Sequence, residues 1–170
     1  MAARMVMIMG VMIMADTGIE MTAPAADMLT LQNWFSPAFP IGAFSYSGGL
    51  ETAIASGAVH DRDSLAGWLH AMIRQGAIFT DAVFLRAAMD GEDVNGLCLA
   101  LCAGAERHQE TTELGKAFSR VIRETQDVDL PEGLAYPVAV GMAAGRLGLA
   151  REVTVAAFLQ GACMSQISVA

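Results

Sequence analysis

The chain has 170 residues, room for one domain with a real core but not comfortably for two. Apolar residues make up 54% of it, against about 45–50% in ordinary chains, charged residues only 16%, and the net charge is −8 with Lys116 the sole lysine. Nucleic-acid binding needs clustered Lys and Arg to displace counterions, which this composition excludes, and so little charge implies a surface partly covered by partners.

Residues 1–27 form a Met-rich leader, "MAARMVMIMGVMIMADTG" and onward. Its apolar run is too short to span a membrane, and an acidic flank stands where a small-residue cleavage site would be expected. An over-long start or a disordered leader is the first reading, with an apolar docking helix or an export signal as alternatives. The fold is taken to run over 28–170.

From Met28 the pattern is helical. "DMLTLQNWF" is a short apolar helix that must stop near Ser36, because Pro37 disfavours a helical residue before it. The run "FSPAFPIGAFSYSGGLE", Phe35 to Glu51, then concentrates turn residues beside aromatic rings. "SGGLETAIAS" follows and ends at Gly57. "DRDSLAGWLHAMIRQG" is capped by Asp61 or Asp63, with Leu65, Trp68, Leu69, Met72 and Ile73 at helical spacing. A break at Gly76 and a restart near Thr80-Asp81 lead into "AVFLRAAM".

"DVNGLCLALCAGAER" and "HQETTELGKAFSRVIRET" read as two further helices, the second with Leu114, Phe118, Val121 and Ile122 on its inner face. After the loop "VDLPEGLAY", Pro137 opens "PVAVGMAAGRLG", since proline is tolerated in a first turn. "REVTVAAFLQGACMSQISVA" is apolar to the last residue and reads as a helix buried between neighbours. No stretch alternates in the manner of a strand. The prediction is an all-α fold, a single compact multi-helix domain.

Chemistry-bearing constellations are weak. "GAFSYSGG" lacks the lysine of a phosphate-binding loop, and Ser47 sits in F-S-Y-S-G without the first glycine or the strand of a nucleophile elbow. His60 and His70 could serve as bases, but no spacing demands it. The odd, sparse cysteines, Cys98, Cys102 and Cys163, point to a reducing compartment, hence the cytoplasm. Cys98 and Cys102 lie one helical turn apart with His108 following, an alternative metal-carrier or enzyme reading, yet no CxxC or HxxxH supports it. Glu51 precedes Ala53 and Ile54 on a short helix near an inner face, as a solvated edge or as a carboxylate aimed at a partner or an internal polar path.

The run from Phe35 to Glu51 resembles the signature S-P-x-x-P-x-G-x-F-x-x-S-x-G-L-E of the urease accessory protein UreF family. Ser36, Pro37, Pro40, Gly42, Phe44, Ser47, Gly49, Leu50 and Glu51 match it. "GAVHDRDSLAGWLHAMI", "FTDAVFLRAA", "ERHQETTELGKAF" (with Glu113 and Gly115) and "YPVAVGMAAGRLGL" are similar to later family segments in the same order.

The resemblance implies a non-enzymatic, cofactor-free, all-α chaperone that forms a homodimer. It implies binding to a UreD/UreH-like accessory protein, a UreG-like GTPase and apo-urease, to help assemble the nickel metallocentre. The signature residues are then structural or partner-binding. The leader has no family counterpart, and the resemblance implies further helices and a partner-engaging tail after Ala170. On that reading the C-terminal helices are truncated, leaving an exposed apolar face, self-association or fraying, and failure to assemble the GTPase complex.

Overall fold

The computed structural model describes residues 23–43 and 46–170. Their helices are α1 (Ala23–Trp34), α2 (Leu50–Ala55), α3 (Arg62–Arg74), α4 (Ala77–Met89), α5 (Asn95–Ala100), α6 (Ala105–Gln126), α7 (Tyr136–Arg146) and α8 (Arg151–Val169). No strand occurs among the described residues, so the fold is all-α. Helix α1 begins at Ala23, ahead of the position 28 from which the domain was read. Asp27 on α1 accepts from the backbone N–H of Ala150 at 3.2 Å and so meets the start of α8.

The core is built around α7, where Pro137, Val138, Ala139, Val140, Gly141, Ala143 and Ala144 are all buried. Small residues let its neighbours come close. A Cβ on Gly141 would stand 2.2 Å from the carbonyl oxygen of Leu85 on α4, and one on Gly145 would stand 2.9 Å from that of Met89. On the other side, Gly115 of α6 lies against the loop before α7, its would-be Cβ 2.0 Å from the Leu134 oxygen.

The N–H groups at the start of α7, which have no partner within the helix, are met from elsewhere. The Ala135 N–H donates to Asn95 Oδ1 (2.8 Å) and the Tyr136 N–H to Thr111 Oγ1 (3.1 Å). Pro137 sits in the first turn as expected. Leu114, Phe118, Val121 and Ile122 are buried together on α6.

Asp61, rather than Asp63, caps α3. Its carboxylate accepts from the Ser64 N–H at 2.8 Å, and the Ser64 hydroxyl accepts from the Asp61 N–H at 3.0 Å, a reciprocal capping box. Leu65, Trp68, Leu69, Met72 and Ile73 form a half-buried stripe, and α3 buries no residue fully.

Two boundaries differ from the sequence pattern. Helix α4 starts at Ala77, directly after Gly76, so Thr80 and Asp81 lie in its first turns, with the Thr80 hydroxyl donating back to the Gly76 carbonyl at 3.3 Å. The segment "DVNGLCLALCAGAER" does not form one helix. Helix α5 stops at Ala100, Gly104 is extended, and Ala105, Glu106 and Arg107 open α6. The apolar periodicity therefore runs on across a break in the backbone between α5 and α6.

Candidate functional site

The described residues 35–43 and 46–49 form a strap between α1 and α2, which takes in Leu50 and Glu51, and the packing of Phe35 and Phe39 accounts for part of its composition. Phe39 is buried with its centroid 5.7 Å from that of Phe118, and Phe35 makes an edge contact with Phe158 at 5.7 Å. Trp34, at the end of α1, meets Phe118 edge-on at 5.2 Å, and Tyr136 lies 5.9 Å from both Phe118 and Phe158. Phe35 and Phe39 therefore pack with the core, in tilted and edge-to-face arrangements favoured by ring quadrupoles. Phe44, with Ser45, lies outside the described residues.

The turn chemistry shapes the remainder. Ser36 Oγ accepts from the Ala38 N–H at 3.1 Å, its carbonyl accepts from the Phe39 N–H at 3.0 Å, and Pro37 and Pro40 stand exposed. Gly42 has φ +76° with nothing near its would-be Cβ, so its role is conformational rather than steric. Gly49, at φ +90°, is the N-cap of α2, and Leu50 behind it is fully buried. Glu51 faces outward: Leu50 and Ala53 take the inner positions, and the carboxylate is exposed.

Two side-chain tethers hold the strap from opposite sides. Tyr46 donates its hydroxyl to Glu113 Oε2 at 2.7 Å, while Gln109 donates to Oε1 of the same carboxylate at 2.8 Å. The bonds from Gln109 and then Tyr46 hold Glu113 below its ordinary value, and donating to that carboxylate raises the Tyr46 phenol. On the other side, Gln166 of α8 donates to the Ser47 carbonyl at 2.7 Å and accepts from the Trp68 indole at 3.2 Å.

A cavity of about 620 Å³ lies beneath the strap. Its wall combines the rings of Trp34, Tyr136 and Phe158 with the charged side chains of Asp81, Arg107 and Glu110. Arg107 pairs with Asp81 and, at 3.0 Å, with Glu110; the Arg107 and Asp81 side chains are only 22% and 16% exposed. Burial works against charge on the guanidinium, but the two carboxylates outweigh it and raise Arg107 further. Burial, with Asp81 adding to it, pushes the Tyr136 phenol up. The site is thus a polar knot in an aromatic wall, with Arg107, Asp81 and Glu110 already paired to one another.

The alternative set of Cys98, Cys102 and His108 is not brought together. Among the described residues no three His, Cys, Asp or Glu side chains are grouped to hold a metal ion. Burial pushes the Cys98 thiol up to about 12, far from the thiolate that a ligand or nucleophile requires. Cys102 donates to the Cys98 carbonyl at 3.6 Å, and His108 is exposed on α6.

The signature residues do share one segment. Sequence reasoning passed over Gln166, Trp68, Asp81 and Arg107 as site residues, because no local spacing links positions so far apart in the chain. The last helix carries two glutamines, Gln160 and Gln166, and nothing in the sequence singles out the second.

The UreF family model matches residues 59–170. The chain is similar to the urease accessory protein UreF of Rhizobium etli, 43% identical over 151 residues, covering 83% of this chain and 68% of the relative. It is similar to the protein of the same description from Rhodopseudomonas palustris (strain HaA2), 42% identical over 171 residues, covering 91% and 72%. A third relative, urease accessory protein UreF 1 of Brucella canis, is 43% identical over 152 residues, covering 84% and 67%. No solved structure matches the chain.

Proposed function

The chain belongs to the UreF family of urease accessory proteins, and we propose that it acts as a non-enzymatic chaperone in assembling the nickel centre of urease. On this reading it works in the cytoplasm as a homodimer. It binds a UreD/UreH-like accessory protein, recruits a UreG-like GTPase through that complex, and docks on apo-urease.

The observation that carries the reading is the construction of the strap. The rings of Phe35 and Phe39 are spent on the core, the Tyr46 hydroxyl is tied to α6 and the Ser47 carbonyl to α8. Pro37, Pro40, Gly42 and Glu51 are left outward on a segment of set shape. A preorganised surface of this kind lowers the ordering cost of association. Exposed apolar side chains elsewhere, among them Phe79 and Val83 on α4 and Leu97 on α5, add surface of the type that protein partners cover. No helix among the described residues is long and apolar enough to cross a membrane.

The metal-carrier reading finds no support in Cys98, Cys102 and His108, which are not grouped. Co-purification tests the proposal. The chain, mixed with a UreD/UreH-like protein, should elute with it in size exclusion. Stoichiometric Ni²⁺ binding by the chain alone, abolished by Cys98→Ala/Cys102→Ala, together with no association with that protein, would overturn it.

A further inference from the structure

We propose that Gln166 is a positioning residue, setting the conformation of the 46–51 segment in which the strap meets its partner; the inference rests on the accessory-protein reading above. Gln166 is a polar side chain only 7% exposed, on a helix whose other buried side chains are Thr154 and Phe158. A primary amide is costly to bury unless both its donor and its acceptor are used. Here both are used, on two different segments: Nε2 donates to the Ser47 carbonyl and Oε1 accepts from Trp68 Nε1. One amide therefore joins the strap, α3 and α8.

The strap is shaped to receive it. Gly48 has φ +58°, and a Cβ there would stand 3.0 Å from Gln166 Nε2, so the glycine permits both the turn and the close approach. The Ser47 carbonyl that Gln166 holds also accepts from the Leu50 N–H at 3.1 Å. The amide thus acts where the strap passes into α2, one residue before exposed Glu51. Gly49 packs on the same indole, its would-be Cβ 3.8 Å from the Trp68 ring.

Without Gln166 the ends of the segment remain held, by Tyr46 on Glu113 and by buried Leu50. The fold should persist while the path between those anchors, and with it the direction of Glu51, becomes free.

Two variants of the full chain test this. Gln166→Met keeps the length and loses both hydrogen bonds; Gln166→Glu keeps an acceptor for Trp68 and loses the donor to Ser47. Trp68→Phe, which keeps the Ser47 bond, is the control. Amide hydrogen exchange over 46–51 needs no partner, and it should be about tenfold or more faster in both Gln166 variants than in Trp68→Phe. The dissociation constant for a purified UreD/UreH-like protein should rise about tenfold in the same two, measured at a temperature where each is fully folded; Gln166→Met should melt close to the parent, and Gln166→Glu lower, because its carboxylate faces the Ser47 carbonyl.

Unchanged exchange in both Gln166 variants overturns the proposal, as does a loss of affinity that only tracks a loss of folded protein. Failure of the unaltered chain to bind either partner protein instead removes the accessory reading. The exchange result still decides whether Gln166 sets the segment.

Discussion

Gly141 on α7 faces the carbonyl oxygen of Leu85 on α4 so closely that a methyl group has no place between them: its carbon would lie 2.2 Å from that oxygen. The obstacle is backbone, which cannot swing aside as a side chain can, so the two central helices must separate. Gly141→Ala is expected to destabilise the fold by about 2–3 kcal/mol in urea denaturation. Gly67→Ala, in the middle of α3 with nothing near its would-be Cβ, is expected to be neutral or to stabilise by up to about 1 kcal/mol through helix propensity. Equal effects at the two positions would remove the steric explanation.

Gly42 is a different kind of glycine, with open space around it and a φ of +76°. Gly42→Val should cost about 1–2 kcal/mol from backbone strain alone, and Gly42→Asn clearly less, because asparagine tolerates the left-handed region. Thermal melts of the two variants side by side are the check. An unchanged melting temperature for Gly42→Val would show that the strap relaxes at that point.

Glu51→Ala separates recognition from folding. The carboxylate is exposed, and surface substitutions of this kind usually fall within about 0.5 kcal/mol of neutral. The variant should melt with the parent yet bind the accessory partner more weakly and activate urease less. Full activation by the folded variant would make Glu51 an ordinary solvated side chain.

Arg107 neutralises carboxylates in the cavity wall that would otherwise be buried bare. Arg107→Ala should cost about 3 kcal/mol or more at neutral pH, because Asp81 then keeps its charge without a partner. Burial already raises Asp81, with Arg107 opposing it, so removing the arginine raises it further. A folded-state value above the unfolded one stabilises at low pH and is lost as pH rises through it. The deficit of Arg107→Ala should therefore shrink between pH 7 and pH 5, and adding Asp81→Asn should recover part of it. A pH-independent deficit in urea melts would mean that the pair contributes packing and little electrostatics.

How much of this could be read from the sequence depends on the distance over which each interaction acts. The inner face of α6, Leu114, Phe118, Val121 and Ile122, follows from helical periodicity and is buried as a set. The cap of α3 was readable as well, up to the choice between Asp61 and Asp63, which the geometry of Ser64 decides. The break between α5 and α6 was not, since periodicity continues across it and only Gly104 marks the turn. For Glu51 the sequence leaves open a solvated edge, a partner contact or an internal polar path; with Leu50 and Ala53 inward its carboxylate is exposed, which removes the internal path. The tethers from Glu113 and Gln166 were beyond local pattern altogether, because each joins residues brought together only by the packing of whole helices.

The placement of Phe35 and Phe39 in the aromatic core has an immunological consequence. The outward contour of the strap is borrowed from rings that face away from it, so its shape belongs to the folded molecule and not to the string of residues. A synthetic peptide copying positions 35–51 carries every letter of the signature and none of its relief. Antibodies raised against such a peptide should stain the protein on a denaturing blot and fail to capture it from native solution, because the epitope they learned exists only when the core has come apart.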